Sequence, residues 1–177
     1  FQTNAHKQAE EHREQMLEKL TEMNQAREQG MLEDAVISAV EAHGLARDEP
    51  TFLARQDVAA LVEATRKAAK QAEQNQDWVE AAALFRALDL LYENQAAYRD
   101  PVQRVTRHLR VLNLYAPQKL HDLYVQRAKR MGEDPPSEPD PDNTWQQRLS
   151  GVELPMLRQT LAQAARRHIQ HSDYSSL

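Results

Sequence analysis

Between Asp77 and Asn94 the chain reads DWVEAAALFRALDLLYEN, with apolar side chains at 78, 81, 85 and 88 and more alongside at 84 and 91. Steps of three and four gather these residues on one helix face, whereas strand faces alternate at every residue. Asp77 stands where a helix needs a side-chain acceptor. Glu80, three residues on, predicts a capping box in its aspartate form, with the Asp77 carboxylate taking the Glu80 amide and the Glu80 carboxylate reaching back. Similar stripes recur along the chain, and alternating runs bounded by turn residues are missing. Ala, Leu, Glu, Gln and Arg dominate, while 177 residues include only 4 Gly, 3 Phe and 2 Trp. The expected fold class is all-α.

The same reading divides the rest of the chain. A first helix ends at Gly30 and carries Met16, Leu17, Leu20 and Met23 only in its second half. A second bears Leu32, Val36, Ala39 and Val40 and is expected to stop at Gly44. Asp48 and Pro50 open a stripe running from Phe52 to Ala72, with a break near Arg55–Asp57. Its small end, Ala68, Ala69 and Ala72, admits the 77–94 helix closely. Asp100 as cap with Pro101 behind it starts the next helix, and Pro117 starts another that Gly132 closes. EDPPSEPDPDN, residues 133–143, holds four prolines and five acids and nothing to bury, so it reads as a linker. A short helix with Trp145 and Leu149 follows, then a full one with Leu154, Leu157 and Leu161 facing inward. Seven or eight helices joined by tight turns predict antiparallel hairpins, in a helical-repeat-like stack or an irregular bundle. The domain reading is a helical hairpin domain at 1–132, the linker at 133–143, and a C-terminal helical segment at 144–177 packing on the same domain.

A chain of this length suits one domain with a sizeable core. No cysteine is present, which excludes disulfides, thiolate nucleophiles and cysteine metal sites, and no run of 18 apolar residues predicts a membrane span. The start at Phe1 and the end at SDYSSL suggest a piece of a longer or processed protein. The net charge of −5 hides an asymmetry. Residues 1–98 carry 10 Lys+Arg against 18 Asp+Glu, residues 99–130 carry 8 against 2, and residues 131–177 carry 4 against 7.

QDWVEAAALFRALDL resembles the second helix of a tetratricopeptide repeat through Trp78, Ala81 and Phe85, with Leu88 where the motif takes a small residue. QGMLEDAVISAVEAHG echoes it through Gly30, Leu32, Ala35, Ala39 and Ala42. The interval from Ala35 to Ala81 exceeds the repeat's ~34 residues, and the Trp-Leu-Gly-Tyr pattern of the preceding helix is missing. The resemblance therefore implies side-by-side hairpins. Residues 77–177, above all RVTRHLRVLNLYAP and LSGVELPMLRQTLAQAARRHI, resemble the helical region ahead of the protease part in bacterial carboxyl-terminal-processing serine peptidases. That resemblance implies a bacterial envelope protease whose Ser/Lys core lies beyond Leu177, with this region scaffolding, gating or oligomerising. None of that family's catalytic motif occurs here, so no catalytic role passes to any residue.

Candidate chemistry is thin. His168 and His171 are three apart but have only Asp173 nearby; His6 and His12 do not share a face; and no H-E-x-x-H occurs, so no metal site is expected. Ser38 lies on a buried-looking helix, while Ser137, Ser150, Ser172, Ser175 and Ser176 fall in linkers or the tail without G-x-S-x-G or S-x-x-K around them. No catalytic residue and no cofactor is expected.

The strongest polar feature is a basic strip of Arg104, Arg107 and Arg110 at i, i+3 and i+6, which Arg127 and Arg130 extend, with Arg99, Lys119 and Lys129. It reads as a partner or anion surface, or as a face neutralised by the acidic N-terminal helices. Stacking aromatics are not interleaved, which weighs against nucleic acid. The functional expectation is a non-catalytic scaffold or protein-interaction domain, the N-terminal part of a larger bacterial processing protease, engaging a protein partner or its own catalytic domain. The alternative is a stand-alone anion- or nucleic-acid-binding module built on the strip.

Overall fold

A computed structural model of the chain describes residues 2–46, 49–138, 147 and 149–167. Among them are eight α-helices and no strand: α1 Gln2–Glu28, α2 Leu32–Leu45, α3 Glu49–Leu53, α4 Gln56–Gln74, α5 Trp78–Leu91, α6 Arg99–Tyr115, α7 Pro117–Met131 and α8 Leu154–Arg167, with a 3-10 turn at Glu93–Gln95. The chain divides into two compact units, residues 1–138 and 139–177, inside the proline- and acid-rich stretch. No helix among the described residues is long and apolar enough to cross a membrane.

In the first unit, hairpins form where the turn residues direct. α1 closes on Gly30 at φ +80°, where the Met31 amide reaches back to the Ala26 carbonyl at 2.9 Å and the Gly30 amide to Arg27 at 3.1 Å. α4 closes in the same way on Gln76, at φ +60°, with the Asp77 amide on Ala72 at 2.9 Å and the Gln76 amide on Glu73 at 3.1 Å. Asp77 then caps α5, its Oδ1 accepting from the Glu80 amide at 3.2 Å. Two start-and-stop expectations are corrected. Gly44 does not end α2, which runs on to Leu45 because the Ala46 amide finds the His43 carbonyl one residue later. Asp100 does not cap α6: the helix already begins at Arg99, leaving Asp100 and Pro101 in its first turn. Asp48 lies outside the described residues.

The core is continuous around α5, which packs against α2, α4, α6 and α7. At its C-terminal end Ala87, Leu88 and Leu91 join Met23 of α1, Val36 and Ala39 of α2, Phe52 of α3 and Val58 and Leu61 of α4. At its N-terminal end Ala81, Leu84 and Phe85 meet Ala69 and Ala72 of α4 and Val105 of α6. Small residues on both α4 and α5 permit that close approach, and burial of Phe85, Leu88 and Leu91 contributes about 2 kcal/mol per side chain. Thr65, the one buried polar side chain among the described residues, donates its hydroxyl to the Leu61 carbonyl at 2.9 Å. Leu17, expected in the α1 stripe, is instead exposed, because 16, 20, 23 and 26 make up the face turned to α2. The break expected near Arg55–Asp57 is the α3–α4 junction, where Ala54 and Arg55 are non-helical.

In the second unit, Leu149–Gly151 form a turn in which the Ser150 amide donates to Gln147 at 3.1 Å, and Gly151 takes φ +86°. Trp145 and most of the short helix expected around it lie outside the described residues. On α8, Leu154, Leu157 and Leu161 lie at the surface of this unit. Residues 133–138 of the predicted linker have no regular structure.

Candidate interaction groove

The five arginines read as one strip separate into three groups. Arg104 ties α6 to α4 through a two-point bond to Glu73, Nε to Oε1 at 2.6 Å and Nη2 to Oε2 at 3.0 Å. Arg127, from α7, donates to Glu33 on α2 and stands 3.6 Å from Glu80 on α5. Arg130 donates to the Asp77 cap at 2.8 Å and to Glu80 at 3.2 Å. Glu80 therefore does not spend its carboxylate on closing the capping box; it serves as an anchor for α7. Arg107 and Arg110 are exposed and have no ion pair among the described residues, sharing the outer face of α6 with Val111 and Leu114.

The two carboxyls Glu73 and Glu33 are shifted in opposite directions. The Arg104 guanidinium holds Glu73 below the usual glutamate range, against the effect of burial. Burial pushes Glu33 up, Arg127 pulls it down, and the neighbouring Glu80, Asp34 and Glu133 add to the rise. Arg104, Arg127 and Arg130 each answer an acid of the chain's own N-terminal half, so three of the eight cations of residues 99–130 are neutralised within the fold.

The concave feature lies beside this latch. The outer face of α5 forms the floor of a groove of about 240 Å³ through Val79, Ala82, Ala83 and Ala87. Glu33 and Ile37 of α2 make one wall, and Leu109 of α6 with Tyr124 and Arg127 of α7 make the other. Leu90 and Arg86 rise from the floor helix itself. The groove is apolar and open: Ile37 is 38% exposed, Tyr124 42% and Leu90 52%. Its volume falls below the ~300–1,000 Å³ typical of small-molecule pockets, so it suits one or two side chains of a larger partner. Arg86 is exposed and has no ion pair among the described residues.

The larger hollow, about 550 Å³ at the start of α4, is lined by Arg27, Arg55, Gln56, Asp57 and Ala60. Its arginines are already committed. Arg55 grips the Asp57 carboxylate at 2.8 and 3.1 Å, and Arg27 donates to the Asp57 carbonyl at 3.3 Å. We therefore place the candidate site at the smaller, apolar groove.

Ile37, Arg86 and Leu90 carried no mark in the sequence reading. The available signal was α5 itself, which is apolar on nearly every side; a helix of that kind has a second face to cover or to offer. A second unpredicted contact is the stack of His108 on Trp78, ring centres 3.9 Å apart at 8°.

Among the described residues no three His, Cys, Asp or Glu side chains converge as a metal site. His168, His171, Asp173, Ser172, Ser175 and Ser176 lie outside the described residues, and His6 is placed on α1 without a described side chain. Ser38 is half-buried on α2, and Ser137 and Ser150 are exposed. Comparison of the chain with protein families, with characterised proteins and with solved structures returns no match.

Proposed function

We propose that this chain is a non-catalytic helical interaction domain that holds a protein partner in the groove along α5. The observation that carries this reading is the set Ile37, Leu90 and Tyr124, three large apolar side chains left open around a floor of alanines. Aromatic and aliphatic anchors around a concavity are what protein interfaces bury at their centres. The salt-bridged α2–α5–α7 latch supports the same reading by holding both walls in place before a partner arrives, which lowers the ordering cost of binding. As the parent, the reading carries forward a larger bacterial processing protease, on the resemblance of residues 77–177 alone. The domain then presents the groove to the protease core or to its client. A Ser/Lys protease core encoded after Leu177 would support that parentage, and a different domain there would refute it.

The test is site-specific photo-crosslinking in the full-length protein, with the crosslinker at Leu90 and, as control, at exposed Lys67. One discrete adduct from position 90, weakened when Ile37 and Tyr124 become Glu, is the expected result. Equal labelling from both positions contradicts the reading.

The alternative, an anion- or nucleic-acid-binding module, retains Arg107 and Arg110 as exposed cations on α6 without an ion pair among the described residues. Binding to a DNA or RNA oligomer that weakens steeply with salt supports it; no binding at low salt ends it.

A further inference from the structure

Building on the groove reading, we infer that the occupant is an acidic amphipathic helix of another protein chain. Three observations select this chemistry. First, of the α5 residues along the groove, Val79, Ala82 and Ala87 are buried while Ala83, Arg86 and Leu90 are accessible on one face, so the open floor runs about 10 Å at 1.5 Å per residue. That is the length of about two helical turns, and the small side chain at Ala83 lets a second helix come close while its bulky residues enter between Ile37, Leu90 and Tyr124. Second, Arg86 stands in the middle of this floor, exposed and without an ion pair among the described residues, while Arg127, the groove's other arginine, is held by Glu33 and Glu80. A carboxylate on the incoming helix completes Arg86. Third, the charged side chains lining the groove are Glu33, Arg86 and Arg127, and the Glu33–Arg127 pair cancels, so the charge left there is that of Arg86, which favours an acidic flank and repels a basic one.

The experiment titrates the full chain with two synthetic amphipathic peptides of about 16 residues. They share one Leu/Phe stripe at i, i+3, i+4 and i+7 and differ only in carrying Glu or Lys beside it. The Glu peptide is expected to bind at least tenfold more tightly than the Lys peptide. Arg86→Glu is expected to invert that order, and Ala83→Trp, which fills the groove, to remove binding of both. Leu90→Glu, at an exposed position, serves in place of Ala83→Trp if that variant melts early. Equal affinities, no response to Arg86→Glu, or no binding of either peptide overturns the inference. Equal affinities that still vanish with Ala83→Trp defeat the acidic choice and leave the groove as a docking site; affinities untouched by Ala83→Trp and Leu90→Glu defeat both. A concentration-dependent dimer that Leu90→Glu abolishes would make a second copy of this chain the occupant, and would likewise overturn the inference.

Discussion

The imidazole of His108 lies flat on the indole of Trp78, with ring centres 3.9 Å apart and planes 8° from parallel. The pair joins the first turn of α5 to the middle of α6 over the Ala69–Phe85–Val105 cluster. Stacked aromatic pairs contribute about 0.5–1.5 kcal/mol beyond their burial. His108→Ala is therefore expected to lower stability by about 1 kcal/mol and to shift tryptophan emission to longer wavelength as Trp78 meets water. Urea unfolding followed by fluorescence reads both effects.

Gln76 takes a left-handed conformation, φ 60°, at the α4–α5 turn, a position that glycine fills without a steric penalty. Gln76→Gly is expected to stabilise the protein by about 0.5–1 kcal/mol, the relief at φ > 0 exceeding the entropy that glycine adds to the unfolded chain. Gly30→Ala, at φ 80°, is expected to act in the opposite direction by a similar amount. Thermal melts of the two variants against the parent chain measure the pair.

Two acids should give opposite pH signatures. Glu73 is held below its ordinary value of 4.5 by Arg104, so its contribution is present above that pH and is lost as pH falls through the lowered value. The stability difference between the parent and Glu73→Gln should therefore shrink on acidification. Its size stays under about 1 kcal/mol, because Arg104 is half exposed. Glu33 is raised above 4.5, chiefly by burial, so its contribution is present at low pH and declines as pH rises from 4.5 to the raised value. The difference between the parent and Glu33→Gln should run the other way. Urea midpoints at a series of pH values resolve the two slopes.

Not every arginine of the predicted strip should matter for folding. Arg127 is largely buried between Glu33 and Glu80. Arg127→Met is therefore expected to cost about 2 kcal/mol, since it leaves the partly buried Glu33 unanswered and Glu80 with Arg130 alone. Part of that loss should return at mildly acidic pH, as Glu33 takes up a proton. Arg107→Ala and Arg110→Ala, on the outer face, should stay within about 0.5 kcal/mol of the parent. Chemical denaturation of the three variants separates these outcomes.

What local chemistry dictates was legible in the sequence. Asp77 caps α5, Pro117 opens α7, Gly30 and Gly132 close their helices, and the stripe through 81, 85 and 88 is buried. What depends on distant partners was not. Arg127 and Glu33 stand 94 residues apart, and no spacing rule links them. Arg107 and Arg104 look alike in a periodic strip, yet only Arg104 lies over an acid of α4, because the packing of Val105 on Ala69 sets the rotation of α6. The groove was hidden for a related reason. Ile37 falls outside the α2 stripe and Leu90 outside the α5 stripe, so each reads alone as an ordinary exposed residue. Only the packing of α2 and α7 on either side of α5 brings Ile37, Leu90 and Tyr124 around one hollow.

The central claim, that the outer face of α5 receives a partner helix, is tested most directly by amide chemical-shift mapping of the full chain during titration with the Glu-flanked peptide. The account predicts shifts concentrated at 33–37, 79–90, 109 and 124–127, with the exposed cations Arg66, Lys67 and Lys70 of α4 unaffected. Shifts centred on α4, or on Arg107 and Arg110, with the amides of 79–90 unmoved would contradict it.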